Sequence, residues 1–272
     1  MDKRLDKTKP RIFGTIFVSL IYIFLFLPIF VIVINSFNAN TVKPYITFKG
    51  FTLDWYIKLF KSTSLLDSFK NTIIVSLSST ILSVIIGTLA ALGMNRYKFK
   101  GKGAIDALLY VPVVIPEIIL GISLLSLFAL VKIPRGLVTL IISHVVFCTP
   151  FVIFTLRARL DGYDITYEEA AMDLGANRTK TFFHITLPII SPGILSGGML
   201  AFTLSIDDVI ISYFVNGTVK TFPLKVMDSI KQGVPPTVNA LSTLILLFLI
   251  IVIITYSIIN LKKEKTIKNK NK

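Results

Sequence analysis

Three acidic side chains stand where a charge is expensive. Glu117 lies about 13 residues into one long apolar run, and Asp207 and Asp208 lie about 14–15 residues into another. Ionisable residues inside such runs mark functional positions by default. At 1.5 Å per helical residue the three carboxyls fall at one depth, roughly 20 Å along their runs. No Lys or Arg occupies that depth in any run, so the group would attract cations. Pro112 and Pro116 interrupt the hydrogen-bond ladder just before Glu117, and irregular backbone at depth is tolerated where it lines a cavity. Neighbouring residues on a helix point about 100° apart, so the two aspartates cannot face a path equally; Asp208 is the one expected to. Two plainer readings stay open. Glu117 can satisfy donors freed by the break, and Asp207-Asp208 can sit solvated at an outer interface.

A second concentration of signals lies in the polar segment 157–192. Tyr167, Ala170, Ala171 and Leu174 are spaced i, i+3, i+4, i+7, which is one helical face. Glu168, Glu169 and Asp173 fall on the rest of that surface. Thr166 precedes Glu169 by three, the spacing of a capping box. Gly175 stands where a left-handed residue would close the helix. Asn177 can cap a second short helix, expected to end before Pro188. The segment thus reads as helix, glycine turn, helix, proline, a compact docking surface.

Other chemistries find no support. No G-x-x-x-x-G-K-[ST] occurs, so the chain is not expected to bind ATP. His144 and His184 are 40 residues apart, with no ligand pattern around either. No metal, cofactor or catalytic constellation is expected, and His144 reads as a hydrogen-bonded packing residue. Cys148 is the only cysteine and sits in an apolar run, as a small buried residue would.

These residues need elements to hold them, and composition says which. Of 272 residues 53% are hydrophobic and only 16% charged, against about 25% charged in a soluble domain. Runs long enough to cross a ~30 Å hydrocarbon layer occur at about 12–34, 66–92, 104–131, 137–156, 193–211 and 238–261. The first follows a basic stretch but is longer than a signal-peptide core, and no A-x-A-like site follows, so it reads as a retained span. The expectation is an all-α integral membrane protein, one domain of six spans over 1–272. Net charge is +14, yet the charges lie between and beyond the apolar runs. Membrane lipid explains them, and no nucleic acid is needed. Of the 29 Lys and Arg, 19 fall in the N-terminal tail, segment 95–103, segment 157–192 and the C-terminal tail. The positive-inside rule then places both termini and the 157–192 loop in the cytoplasm. Segments 35–65 and 212–237 would face outward. Trp55 in the first of them reads as an interfacial anchor.

The loop also carries a resemblance. Glu169-Ala170-Ala171, three residues, Gly175, nine residues, then Ile185-x-Leu187-Pro188 is similar to the EAA motif of binding-protein-dependent ABC transporter permeases, whose transmembrane domain is of the MetI-like type. Every defined position and both gaps agree. The resemblance implies a non-enzymatic permease subunit of an ATP-driven importer in a bacterial inner membrane. It implies a homologous second permease, two ATP-hydrolysing subunits and an external substrate-binding protein as partners. It also implies that this loop, including Glu168, seats in a cleft of the ATPase, with Glu169 meeting a basic residue there. Asp207-Asp208-Val209-Ile210-Ile211-Ser212, Phe222-Pro223-Leu224-Lys225 and Ile115-Pro116-Glu117 resemble the spermidine/putrescine permeases in particular, so polyamines are the implied substrate. A permease for another small solute is the alternative. A secondary transporter driven by an ion gradient is a further one: the interrupted third span would suit it, and the ordered loop would not.

Overall fold

The computed structural model describes residues 12–42, 47–230 and 233–270. The basic residues Lys3, Arg4, Lys7, Lys9 and Arg11, and Lys272, lie outside them. The described chain is helical, with one isolated bridge between Asn38 and Phe51. The helices are α1 (Ile12–Ser36), α2 (Asp54–Lys61), α3 (Thr63–Arg96), α4 (Lys102–Val114), α5 (Glu117–Leu130), α6 (Leu137–Leu160) and α7 (Thr166–Asp173). Then come α8 (Arg178–Thr181), a π-helical turn (Phe182–Thr186), α9 (Leu187–Ile206), α10 (Ile210–Val215), α11 (Phe222–Ile230) and α12 (Pro236–Lys270).

Among the described residues four helical stretches are long and apolar enough to cross a membrane: Gly14–Ser36, Thr63–Arg96, Leu137–Leu160 and Arg178–Ile206. The α4–α5 pair makes a fifth if counted as one broken span; its halves meet at 110°. Helix α12 covers the sixth expected run.

Two expectations need correction. The fifth run is helical well before residue 193, because the helix does not stop at Pro188. Proline lacks an N–H and its ring crowds the carbonyl four residues back. The chain widens there instead: the Leu187 N–H reaches the Phe182 carbonyl, five residues back, and the π turn absorbs the misfit. The same run ends sooner, at Ile206. In the third run Pro112 is accommodated inside α4, and the break falls at Ile115 and Pro116, both extended. The residue before a proline is pushed out of the helical region, which explains the place.

The chain forms two compact units. In the first, made from residues up to 63 and from 229 onward, α1 and α12 pack side by side and α2 lies on α12. Here Trp55, read from the sequence as an interfacial anchor, packs inside the unit. It is buried, its indole N–H donates to the Asn38 carbonyl at 2.6 Å, and the Lys58 ammonium sits 4.3 Å from its ring centre. The Asn38 side-chain oxygen accepts from the backbone N–H of Asn40 and Lys49. Together these bonds order the segment between α1 and α2.

The second unit, residues 64–228, carries the candidate sites. Its helices meet through small residues. Helix α9 buries Gly193, Gly197, Ala201 and Ser205, one every fourth position, against α6. Helix α3 buries Ser68, Thr72, Ser76, Ser79, Ser83 and Gly87. The hydroxyls of Ser68, Thr72, Ser76 and Ser79 return to carbonyls of the preceding turn, as Ser76 does to Thr72 at 2.7 Å, so each is satisfied within the helix, and Ser83 reaches Val145 of α6 at 3.5 Å. Small side chains let backbones approach, and in lipid that packing is what associates helices. Val152 of α6 is wedged in the middle. A Cβ added to Gly87 would lie 2.8 Å from its Cγ1, and one added to Gly197 3.3 Å from the same atom. Cys148 is buried and free, as expected.

Gly87→Leu should therefore force α3 off α6. Overpacking of this kind costs about 1–3 kcal/mol, so the detergent-solubilised variant should melt several degrees lower than its parent. Gly93→Leu on the same helix, where a Cβ meets nothing within 4 Å, should melt as the parent does.

Candidate functional site

The loop after α6 is built from local bonds. Asp164 Oδ1 accepts from the Thr166 backbone N–H at 2.9 Å and from the Thr166 hydroxyl. Those two bonds hold the Asp164 carboxyl below its usual range. The start of α7 is thus fixed by Asp164, and the capping box expected between Thr166 and Glu169 does not form. Two acceptors competed for one register, and the carboxylate won. The other end follows the expectation. Gly175 has φ +90°; its N–H reaches the Met172 carbonyl at 2.9 Å, and the Ala176 N–H reaches Ala171 at 3.0 Å. This pair of bonds is the Schellman closure, which favours glycine at the left-handed position. Asn177 Oδ1 then accepts from the Lys180 N–H at 2.8 Å and opens α8.

Burial separates the two glutamates. Glu168 is buried and Glu169 exposed. Glu168 Oε1 accepts from the Tyr163 hydroxyl at 2.8 Å, from the Thr186 hydroxyl at 2.7 Å, and from the Arg96 guanidinium. Arg96 is the last residue of α3, and Thr186 the last of the π turn. Burial pushes the Tyr163 phenol up, so it remains a donor to Glu168 at neutral pH. One carboxylate therefore ties α7 to three other segments.

The face of Tyr167, Ala170, Ala171 and Leu174 is turned outward. Tyr167 is 60% and Leu174 90% exposed; Glu169 and Ala170 are exposed, and Ala171 half-buried. Beyond the π turn Leu187 is half-buried and Pro188 exposed. The short helix rests on a polar anchor and presents apolar side chains away from the unit.

The second site is where two helices break. Glu117 is the first residue of α5, and Asp207 and Asp208 lie between α9 and α10. Helices α5 and α10 touch closely: a Cβ on Gly121 would lie 2.7 Å from the Phe214 ring and 3.4 Å from the Ile211 Cα. Gly121 is one turn past Glu117 and Ile211 about one turn past Asp208, so this contact lies beside all three acids. The three acids are thus brought together, but not in equal roles. Asp207 is exposed and Asp208 buried. Asp208 accepts from the backbone N–H of Ile211 at 3.2 Å and of Ser212 at 2.8 Å. It satisfies the open N-terminus of α10, where a carboxylate also suits the helix dipole. His144 Nε2 lies 3.3 Å from its Oδ2. Asp207 is the exposed acid of the pair and Asp208, the one expected to face a path, caps α10, because the helix ends at Ile206 and the next residues no longer follow helical spacing.

Fold and site together define a helical membrane permease with an ordered polar loop and an acidic break. Comparison with known proteins is specific. The family model for "binding-protein-dependent transport system inner membrane component" matches residues 83–266. The spermidine/putrescine transport system permease protein PotC of Escherichia coli K12 is 39% identical over 250 residues, covering 92% of this chain and 94% of that one. The putrescine transport system permease protein PotI of the same strain is 39% identical over 233 residues, covering 83% and 82%. Among solved structures, a bacterial ABC transporter importing the polysaccharide alginate matches with TM-score 0.69 at 16% identity, over 94% of this chain and 98% of its own. The MetNI methionine ABC transporter matches with TM-score 0.57 at 18% identity, over 71% and 92%. The chain belongs to the binding-protein-dependent transport system inner membrane components, and is the permease component of an ABC importer.

Glu168→Ala should loosen the loop while leaving the long helices folded. Hydrogen bonds to a charged group contribute about 1.5–3 kcal/mol, and about 1.4 kcal/mol is tenfold in population. Tryptic cleavage at Arg178 or Lys180 in the solubilised protein should be roughly tenfold faster or more. Glu169→Ala, which removes an exposed side chain, should leave that rate unchanged.

Proposed function

We propose that this permease passes polyamines. The observation that carries the reading is the acidic break: Asp207 exposed between α9 and α10, with Glu117 and Asp208 beside it. Polyamines carry several ammonium groups separated by methylenes, and a set of carboxylates at one level suits a multiply charged cation. The 39% identity to permeases of spermidine/putrescine and putrescine systems, over most of the chain, supports the same substrate class. In this reading Asp207 and Glu117 face the path, and Asp208 supports the backbone beside it.

The same reading assigns partners. The chain pairs with a homologous permease, two ATPase subunits and an external binding protein, with both termini on the cytoplasmic side of six spans of a bacterial inner membrane. The loop of α7 and α8 is the surface the ATPase pushes. Its exposed Leu174, Tyr167 and Ala170, with Glu169 at the rim, supply an apolar contact and one charge for a basic partner residue.

Two experiments test these assignments. In proteoliposomes holding the whole transporter, labelled spermidine uptake should depend on ATP and be competed by putrescine and not by sugars, amino acids or iron. Competition by one of those others, and not by putrescine, would replace the substrate class. Asp207→Asn removes one charge at a solvent-exposed position, so the loss should be that of an ordinary hydrogen bond, about 0.5–1.5 kcal/mol, or roughly 2- to 13-fold in the KM for uptake.

The coupling assignment has its own test. Gly175→Val should assemble with the ATPase yet lose most of the ATP hydrolysis stimulated by loaded binding protein. A left-handed residue with a side chain costs about 1–2 kcal/mol, and a Cβ there meets nothing within 4 Å, so the loss comes from the backbone alone. Gly175→Asn, which tolerates that conformation, should retain more. Equal activity of the two would remove the turn from the coupling role.

A further inference from the structure

The buried polar groups of the second unit converge on one imidazole. His144, two turns into α6, is 1% exposed. Both ring nitrogens have partners: Nδ1 lies 2.6 Å from the Ser205 hydroxyl, and Nε2 lies 3.0 Å from the Ser212 hydroxyl and 3.3 Å from Asp208 Oδ2. Ser205 stands in the last turn of α9, and Ser212 in the first turn of α10. The ring therefore touches both sides of the break at residues 207–209. The Ser205 hydroxyl is also 2.9 Å from that of Ser79 on α3, so the junction is referred to a third helix.

Backbone alone does not hold this junction. Where α9 stops, its last carbonyls lose their helical partners, and the first N–H groups of α10 have none. Asp208 answers the second need with its two backbone bonds. Those bonds are local to α10 and fix nothing relative to α9. The cross-link between the two helices at this level is His144. Asp207 lies between the clamped residues and stays outside the cluster, exposed.

We propose that His144 is a positioning residue, which clamps α9 to α10 across the break and so holds Asp207 out toward the substrate path. It touches no substrate itself. The part concerning the path rests on the reading that Asp207 faces it; the clamp does not.

The test has two arms, run on the assembled transporter. For the clamp, Cys148 is replaced by Ala and Ile211→Cys introduced, because Ile211 is fully buried at the start of α10. With His144 present this thiol should resist a water-soluble methanethiosulfonate. With His144→Leu its labelling should rise at least tenfold, while His144→Gln, which keeps a donor and an acceptor, should retain much of the protection. Ser205→Ala, a change of one oxygen, repeats the experiment with minimal loss of volume. Protection unchanged in both His144→Leu and Ser205→Ala overturns the clamp. For the path, His144→Leu should raise the KM for spermidine by about as much as Asp207→Asn does, with maximal ATP hydrolysis kept. The two together should raise it no further than either alone. A general loss of packing would instead multiply the two effects, and that outcome overturns the positioning role. If labelling rises but neither substitution moves KM, the clamp stands and it is the polyamine path through Asp207 that fails.

Discussion

In hydrocarbon no water is at hand for a backbone group, so every N–H and C=O must find its partner inside the protein. An unbroken helix meets this demand without help. Among the described residues two apolar stretches are broken, between α4 and α5 and between α9 and α10, and each break leaves backbone groups without helical partners. At the second break Asp208 accepts the freed N–H groups of Ile211 and Ser212, while His144 and serines of three helices bond to one another behind it. At the first, Glu117 opens α5 next to the same cluster. The exposed acid and the polar core behind it are thus one arrangement seen from two sides. At α10 the break frees N–H groups, and the Asp208 carboxylate accepts them.

The small-residue seams follow from the same constraint. Lipid tails are as apolar as leucine, so burying leucine between helices gains little there. Close approach and internal hydrogen bonding take over. The α3 face of Ser68, Thr72, Ser76, Ser79, Ser83 and Gly87, and the α9 face of Gly193, Gly197, Ala201 and Ser205, let both helices close on α6 around Val152. That closeness brings Ser79, Ser205 and His144 within reach of one another. A bulky seam would have held the hydroxyls apart and left the break without its clamp.

Much of this was legible in the sequence, and what escaped had a common cause. The apolar runs, the Gly175 turn and the Asn177 cap were readable because each is decided within a few residues. The choice between neighbours was not. Glu168 and Glu169 are adjacent, as are Asp207 and Asp208, and in each pair the inward member is set by a partner far along the chain: Arg96 for Glu168, His144 for Asp208. No local period reports such a partner. A pair of acids with one lone basic or imidazole group at the matching depth of another run was the available signal, and it was only a weak one. Pro188 misled for the opposite reason. Its local rule is strong, but a π turn satisfies it at less cost than ending the helix. The apolar face of Tyr167, Ala170 and Leu174 was legible as a face, but its period does not say whether its cover is its own unit or a separate subunit.

The two candidate sites are joined by one element. The chain is helical without interruption for 29 residues from Arg178 to Ile206, roughly 43 Å at 1.5 Å per residue. At its start, Thr186 of the π turn donates to Glu168, which also holds α7 and Arg96. At its end, Ser205 meets His144 just before Asp207. A helix of this length resists compression, and its seam of small residues allows it to slide or turn against α6 without dragging bulky side chains through one another. In the proposed coupling, a push on α7 would reach the acidic break as a displacement of a single rod. On this view Glu168 and His144 are matched fastenings, one where the motion enters and one where it is used. The π turn sits just inside the first, the one place in the rod where the backbone is wider than an α-helix and can change its pitch.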